Sequence, residues 1–298
     1  MSKLALIDIG SNSIRMVLYQ INVKQQVKEL KRYRHFVQLA KDMTATGAIN
    51  QDNFTAGIQV LKNFQQIIME QKVDQVIATA TEAIRQASNQ KDFIQAAKQQ
   101  AQIAIIVLTG QQEAEYDAIA IKTDLHLTDF LFLDTGGGSF EMGVVQQQKL
   151  IQADSWPYGA VKLYDYLNNP QQLTIAQIKN IQQLLQQKLQ KINSQNIKRL
   201  VVIGGVHRAL FTIMDQPDSH WLAHDKVESW VQLLQQNSLQ QNLTLERIEA
   251  QRAPFIPAGL LPLKTVMEYF NVKQVCFSKA GLRNGILQEY LEKMNEKN

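Results

Sequence analysis

Residues 6–16 read LIDIGSNSIRM, and residues 132–142 read FLDTGGGSFEM. The two stretches align without a gap, 126 positions apart, and the identical residues include Asp8 with Asp134, Gly10 with Gly136, and Ser13 with Ser139. Each stretch has an apolar run, an aspartate, a glycine-containing turn and a second apolar run, which is the pattern of a β-hairpin. Because an internal repeat takes precedence over other fold arguments, the sequence predicts two related domains.

After each hairpin, the chain continues with the same type of pattern. Short Val/Ile/Leu runs alternate with helical patterns, which is typical of an α/β protein with buried sheets. In the first half we predict strands at 3–9, 14–21, 27–36, 73–78 and 104–108, and helices at 52–71, 81–88, 92–102 and 110–125. In the second half, after the hairpin, we predict strands at 150–155, 198–203 and 274–277, and helices at 159–167, 175–193, 206–214, 225–236, 257–270 and from 282.

The pattern therefore predicts two α/β domains that face each other across a cleft. The first domain spans residues 1–126 and the second spans residues 127–298. In this prediction the C-terminal helix of the second domain can pack against the first domain. The length of 298 residues agrees with two domains at about 150 residues each.

Composition limits the class of protein. The single cysteine, Cys276, excludes an intramolecular disulfide and is typical of a reducing compartment. No run of about 18 apolar residues is present, and the N-terminus lacks the pattern of a signal peptide. We expect a soluble, cytoplasmic protein without a membrane partner. The net charge of +4 permits an anionic ligand but does not require a nucleic acid.

The two aligned turns are the main candidates for chemistry. Glycine at a turn lets backbone N–H groups approach a ligand closely, and serine or asparagine side chains add further donors, so such a turn can cradle phosphate oxygens. An aspartate at the end of the preceding strand is placed to hold a divalent cation beside those oxygens. One such turn alone is typical of a plain hairpin, but two in register, each preceded by aspartate, favour a ligand site.

Five motifs together resemble a known family. They are DIGSNSIR at 8–15, ATEAIR at 80–85, TGQQEA at 109–114, DTGGGSFE at 134–141 and GAVKL at 159–163. In this order they resemble the exopolyphosphatase and guanosine pentaphosphate phosphatase (Ppx/GppA) family, in its short two-domain form. That family belongs to the actin, Hsp70 and sugar kinase superfamily, so the resemblance implies two ribonuclease-H-like (actin-like ATPase) domains.

The resemblance also implies roles for individual residues. Glu113 matches the catalytic glutamate that deprotonates the attacking water, and its place in the first turn of a helix favours the ionised carboxylate. Asp8, Asp134 and Glu141 match the residues that hold Mg²⁺ or Mn²⁺. The expected phosphate-binding residues are Gly10, Ser11, Asn12, Ser13, Arg15, Arg85, Gly136, Gly137, Gly138, Ser139, Gly204, Gly205 and Arg208.

The leading hypothesis is a metal-dependent phosphohydrolase that releases terminal phosphate from inorganic polyphosphate. Three alternatives stay open: hydrolysis of the 5′ γ-phosphate of guanosine pentaphosphate, phosphate transfer by a superfamily kinase, and binding of polyphosphate or a nucleotide without turnover. Val206 and Asn284 depart from the family pattern, where threonine and glutamate are usual, and put substrate range in question. The resemblance further suggests a homodimer.

Overall fold

The computed structural model describes residues 1–194 and 196–296, with only the backbone at Thr44. It divides the chain into two units. One consists of Met1–Thr109 and the residues from Glu289 onward, and the other is Gly110–Gln288. The sequence-based boundary at 126 and 127 differs in the segment 110–125, which contacts strands of the second unit's sheet. Gln195 and the last two residues, which the predicted second domain includes, lie outside the described residues.

The first unit begins with three consecutive strands, as predicted. Its strands are β1 (Ser2–Ile9), β2 (Ser13–Ile21), β3 (Val27–Phe36), β4 (Gln75–Ala80) and β5 (Ile105–Val107). Its helices are α1 (Met43–Thr46), α2 (Gln51–Glu70), α3 (Glu82–Gln86) and α4 (Gln90–Ala101). The strands form one sheet in the order β3-β2-β1-β4-β5, in which β1 pairs antiparallel with β2 and parallel with β4.

The second unit repeats this arrangement. Its strands are β6 (Phe130–Thr135), β7 (Phe140–Gln146), β8 (Lys149–Trp156), β9 (Arg199–Ile203), β10 (Trp221–Ala223) and β11 (Gln274–Phe277). Its helices are α5 (Gly110–Leu125), α6 (Ala160–Tyr166), α7 (Ile175–Leu189), α8 (Gly205–Ile213), α9 (His224–Gln236), α10 (Leu239–Leu243), α11 (Ile256–Gly259), α12 (Leu261–Tyr269) and the start of α13 (Leu282–Asn295).

The second sheet has the order β10-β11-β9-β6-β7-β8. Within it β6 pairs antiparallel with β7 and parallel with β9, just as β1 pairs with β2 and β4. The two sheets therefore share a hairpin followed by a parallel neighbour, and the α/β duplication predicted from the repeat is confirmed.

Both faces of the second sheet are buried, which explains why β6 is a continuous apolar run. Leu131 and Leu133 belong to the larger core, together with the buried faces of α6, α7, α8, α9 and α12. Phe130 and Phe132 point to the other face and pack with Ala118 and other small or apolar residues of α5. This second core holds α5 against β6, the strand that leads into the glycine turn.

Some predicted elements are corrected. The helix predicted at 257–270 is two helices, α11 and α12, because Pro262 near the start of α12 has no N–H to donate to the preceding turn. The helix predicted at 81–88 is the shorter α3, and Thr81 precedes it as an N-cap residue whose side chain makes no capping hydrogen bond. The short elements α1, β10 and α10 were not predicted.

Within the described residues, no helix is both long enough and apolar enough to cross a membrane.

Candidate active site

The first glycine turn, at residues 10–13, is closed by a hydrogen bond from the Gly10 amide to the Ser13 carbonyl at 3.1 Å. Ser11 and Ser13 are buried. In the described part of the chain, the amides of Ser11 and Asn12 donate to no other residue, and the buried Oδ1 atom of Asn12 has no hydrogen-bond partner. The turn therefore leaves polar groups available to a ligand.

The second turn, at residues 136–139, has the same geometry. The Gly136 amide donates to the Ser139 carbonyl at 3.0 Å. The carbonyls of Gly136 and Gly137 accept hydrogen bonds from the first amides of α6, at 2.9 Å each. Among the described residues, the amides of Gly137 and Gly138 have no acceptor. Because the carbonyls are occupied and these amides are not, the turn offers donors to an anion.

Four carboxylates of the second unit lie close together. Asp134 is the last but one residue of β6 and is directly opposite Glu141 on β7. Glu113 and Asp117 are one turn apart on α5. The charge of Glu113 acts on both Glu141 and Asp117, and the charges of Asp134 and Glu141 also act on Asp117. Glu113, Asp117 and Glu141 are all buried. The structure thus brings the predicted base Glu113 together with two of the three predicted metal ligands.

Burial, together with the like charges nearby, raises the pKa of two of these groups. Burial is the main cause of the pKa of Glu141 lying well above its usual range, and the charges of Glu113 and Asp134 add to it. Ser155 Oγ donates to Glu141 at 2.7 Å and opposes this rise, as does the Ser139 side chain. The pKa of Asp117 is likewise raised well above its usual range, first by burial and then by Asp134, Glu141 and Glu113.

Gly110 allows α5 to approach β8 closely enough to complete this cluster. A Cβ atom at Gly110 would lie 2.6 Å from Ser155 Oγ, which is too close for any side chain. Since Ser155 holds Glu141, the glycine that begins α5 also sets the distance between the Glu113 helix and the Glu141 strand.

The carboxylate cluster fits a divalent cation by its chemistry. Hard cations such as Mg²⁺ take oxygen ligands, and the buried Oδ1 atom of Asp117 has no hydrogen-bond partner. In the described part of the chain, however, no three His, Cys, Asp or Glu side chains converge as a ready-made metal site. Asp8 belongs to the first unit, where its Oδ2 lies 4.0 Å from Arg15 Nη1. The metal set of Asp8, Asp134 and Glu141 stays a prediction.

Asp117 was missed in the sequence analysis, although a signal was present. Ala114, Ala118 and Ile121 form the apolar stripe of α5, and Asp117 lies on the same face because it is three residues after Ala114 and four before Ile121. It is also one turn from Glu113. A carboxylate inside a buried stripe is rarely tolerated without a partner or a function.

The two predicted phosphate-binding arginines of the first unit are held in defined places. Arg15 Nε donates to Ser13 Oγ at 3.1 Å, beside the first turn. Arg85 on α3 is partly buried, forms an ion pair with Glu82 and donates to the Leu108 carbonyl at 2.6 Å. Both guanidinium groups are therefore oriented by neighbours.

The third predicted loop, at Gly204 and Gly205, lies where α8 begins, with Gly204 as the N-cap residue. Gly204 has a φ of +95°, and a Cβ atom there would collide with Asp134 Oδ1, so this position requires glycine. The Gly205 carbonyl accepts a hydrogen bond from Arg252 Nη1 at 2.7 Å. The Arg208 guanidinium lies over the Phe277 ring, 5.8 Å from its centre.

His207 links this loop to β6. It is fully buried, with Nδ1 2.5 Å from the Ile203 carbonyl and Nε2 3.4 Å from Thr135 Oγ1. Burial lowers the pKa of His207 from 6.5 to about 4. The imidazole is therefore neutral near pH 7 and acts as a structural bridge.

This shift predicts a loss of stability in acid. Between pH 6.5 and pH 4 the unfolded chain protonates His207 but the folded chain does not, so stability falls as the pH falls. From pH 7 to pH 5 the free energy of unfolding should drop by about 2 kcal/mol through this group. Urea unfolding at both pH values measures the drop, and the His207→Gln variant should lack that part of it. The exposed His220, changed to Gln, is the matched control and should leave the drop intact; an unchanged drop in His207→Gln would contradict the assignment.

Comparisons with known proteins agree with the fold and the arrangement of the turns. A model of the Ppx/GppA phosphatase family matches residues 17–294. A Haemophilus influenzae protein with a provisional exopolyphosphatase name is 24% identical over 295 residues, covering 96% of this chain and 90% of that protein.

Two solved structures extend the comparison over the first turn. The structure of the Aquifex aeolicus member of the Ppx/GppA family is 26% identical, has a TM-score of 0.83 and covers 100% of this chain and 99% of its own. An exopolyphosphatase from Cytophaga hutchinsonii, 21% identical, has a TM-score of 0.89 over 98% of each chain. The actin-like ATPase fold implied by the sequence resemblance is therefore confirmed.

Proposed function

We propose that this chain, which belongs to the Ppx/GppA phosphatase family, releases the terminal phosphate of inorganic polyphosphate by metal-dependent hydrolysis. The observation that carries the proposal is the juxtaposition, in one unit, of a glycine turn with available amides and a carboxylate cluster that contains Glu113. The exopolyphosphatase name of the Haemophilus influenzae relative supports the choice of substrate.

In this proposal the two turns bind phosphate oxygens. The amides of Ser11 and Asn12 and those of Gly137 and Gly138 donate to the anion, and Arg15 and Arg85 supply guanidinium groups, whose paired donors match phosphate oxygens. Gly204, Gly205 and Arg208 are proposed to contribute a third contact. Such fixed donors stabilise charge where it develops in the transition state.

Glu113 is proposed to be the general base. It takes a proton from the attacking water as the water oxygen bonds to the terminal phosphorus, and the bond from that phosphorus to the bridging oxygen breaks. Orthophosphate leaves, and the shortened chain keeps the bridging oxygen. Asp134 and Glu141, with Asp8, would hold Mg²⁺, which neutralises the phosphate charge when it is bound. Asp117 lies one turn from Glu113, and the charge of Glu113 contributes to the raised pKa of Asp117.

Measurement of orthophosphate release tests the proposal. The protein is incubated with long-chain polyphosphate or with guanosine pentaphosphate, each with Mg²⁺ or with EDTA. We expect release from polyphosphate that requires Mg²⁺ and exceeds release from the nucleotide. Phosphate found on an added acceptor, or tight binding without release, would contradict the hydrolase proposal and favour a kinase or a sensor.

A further inference from the structure

One edge strand of the first unit, together with the turn before it, carries a dense group of basic residues. Residues 24–36, which comprise β3 and the turn before it, contain five basic residues and one acidic residue: Lys24, Lys28, Lys31, Arg32, Arg34 and Glu29. Their net charge of +4 equals the formal charge of the whole chain. This segment is therefore one strongly basic place at which an anionic partner can bind.

The cationic groups of this segment are exposed. β3 is the outer strand of its sheet, and most of its residues are exposed. Arg32 is paired with Glu29 at 2.7 Å. The ammonium groups of Lys24, Lys28 and Lys31 lie within ion-pairing distance of no carboxylate in the described part of the chain. Three charges are thus available to a ligand.

An irregularity in the pairing with β2 aligns two of these lysines. Lys28 lies opposite Gln20 and Lys31 opposite Leu18, because the register shifts between Leu18 and Tyr19. Gln20 and Leu18 are two residues apart on β2 and share a face. Lys28 and Lys31, although three residues apart in sequence, therefore lie on the same face of the sheet.

The C-terminal end of β3 is fastened to the first phosphate turn. Ser13 lies opposite Phe36, and Arg15 opposite Arg34. Just after the strand, the amides of Val37 and Gln38 donate to the Asn12 carbonyl at 3.2 and 3.0 Å. The ten residues of β3 span about 33 Å. The basic edge therefore leads away from the turn over a length that a polymer can follow.

We propose that β3 is a docking track for the distal part of a polyphosphate chain whose terminal phosphate lies at the first turn. This inference rests on the proposed function. It favours a phosphate polymer over a nucleic acid because single-stranded nucleic acids stack their bases on open aromatic rings. Here Lys31 lies 5.2 Å from the centre of the Tyr33 ring and Arg34 4.0 Å from that of Phe36, so cations cover the rings.

Lysines on an edge strand also have a simpler use, because charge on an exposed edge prevents strands of other molecules from pairing with it. The two uses differ in their dependence on chain length. Lys31 is five residues from the end of β3, or about 16 Å, which is too far for tripolyphosphate at the first turn to reach. Long-chain polyphosphate can reach it.

The test combines Lys24→Gln, Lys28→Gln and Lys31→Gln in one variant of the full chain. Binding of labelled long-chain polyphosphate and of tripolyphosphate is measured in a Glu113→Gln background, so that no turnover interferes. Loss of three phosphate contacts should raise Kd for the long chain about tenfold and reduce the slope of log affinity against log salt by about 2. Kd for tripolyphosphate should not change.

The matched control changes three other exposed lysines of the same unit, Lys62, Lys91 and Lys98, to glutamine. It carries the same charge loss and should bind both ligands as the parent does. Equal weakening by both triple variants, or equal weakening for both chain lengths, would overturn the track. Competition by a single-stranded RNA of equal charge as strong as that by polyphosphate would also overturn it.

If the triple variant aggregates, the salt dependence of binding by the parent protein tests the inference instead. Its salt slope should be steeper for long-chain polyphosphate than for tripolyphosphate, and equal slopes would overturn the inference. The results for binding and for hydrolysis test different proposals. If the protein binds long chains through β3 but releases no phosphate, only the proposed function is refuted. If it hydrolyses polyphosphate but its binding does not depend on chain length, only the docking track is refuted.

Discussion

The Glu113→Gln variant is expected to lower kcat for phosphate release from polyphosphate about a thousandfold, within the usual contribution of a general base. Glutamine keeps the size of the side chain but cannot accept the proton of the attacking water. The fold should persist, because Glu113 raises the pKa of both Glu141 and Asp117 by its charge, and its neutralisation relieves that repulsion. Orthophosphate release gives kcat, and thermal unfolding should give a Tm equal to or above that of the parent.

Glu115→Gln is the matched control for this prediction. Glu115 lies on the same helix two residues away, is exposed, and accepts a hydrogen bond from Gln111 Nε2 at 3.1 Å. Its variant removes the same charge from α5 and should keep full activity. Full phosphate release by Glu113→Gln, or an equal loss in both variants, would show that Glu113 is not the base.

The arrangement of Asp134 and Glu141 could be predicted because it depends on local geometry alone. A tight turn at residues 136–139 forces the residues on its two sides to pair, so an aspartate and a glutamate placed symmetrically about it become cross-strand neighbours. The bounds of α5 were predicted correctly for a similar reason, since Gly110 begins the helix and the apolar stripe continues to its end.

The burial of Asp117 and the contact from Ser155 to Glu141 depend on tertiary packing. Ser155 lies on β8, and its role arises only because α5 crosses that strand closely at Gly110. No spacing along the chain contains this information. The sequence therefore predicted the hairpin and singled out Glu113, and the structure added the groups that surround them.

Two element ends show how apolar spacing misleads. The strand predicted at 73–78 begins at Gln75 in the structure, two residues later than predicted. Lys72 has a φ of +50°, so the chain is still turning there. The helix predicted at 175–193 ends at Leu189. Ile192 keeps the spacing and is buried, but its amide donates to the Leu189 carbonyl at 2.9 Å in a turn after the helix. The apolar spacing therefore predicted that Ile192 is buried but not that the helix ends before it.

The Gly204→Ala variant is expected to lower the free energy of unfolding by about 3 kcal/mol or more and to abolish phosphate release. Its φ of +95° is rarely adopted by residues other than glycine, and such strain costs about 1 to 3 kcal/mol. The added Cβ would also collide with Asp134 Oδ1 and lie 2.8 Å from the Thr135 carbonyl, and overpacking adds about 1 to 3 kcal/mol. Urea unfolding measures the stability, and orthophosphate release at a temperature where the variant is folded measures the activity.

Gly47→Ala separates the collision from the strain. Gly47 also has a positive φ, +68°, but a Cβ atom there has no neighbour within 4 Å. Its variant should lose about 1 kcal/mol from the left-handed backbone alone and should keep its activity, because nothing near Asp134 moves. Equal losses of stability in the two variants would mean that Asp134 yields to the new methyl group without cost. Activity retained by Gly204→Ala would then show that the position of the Asp134 carboxylate does not govern the reaction.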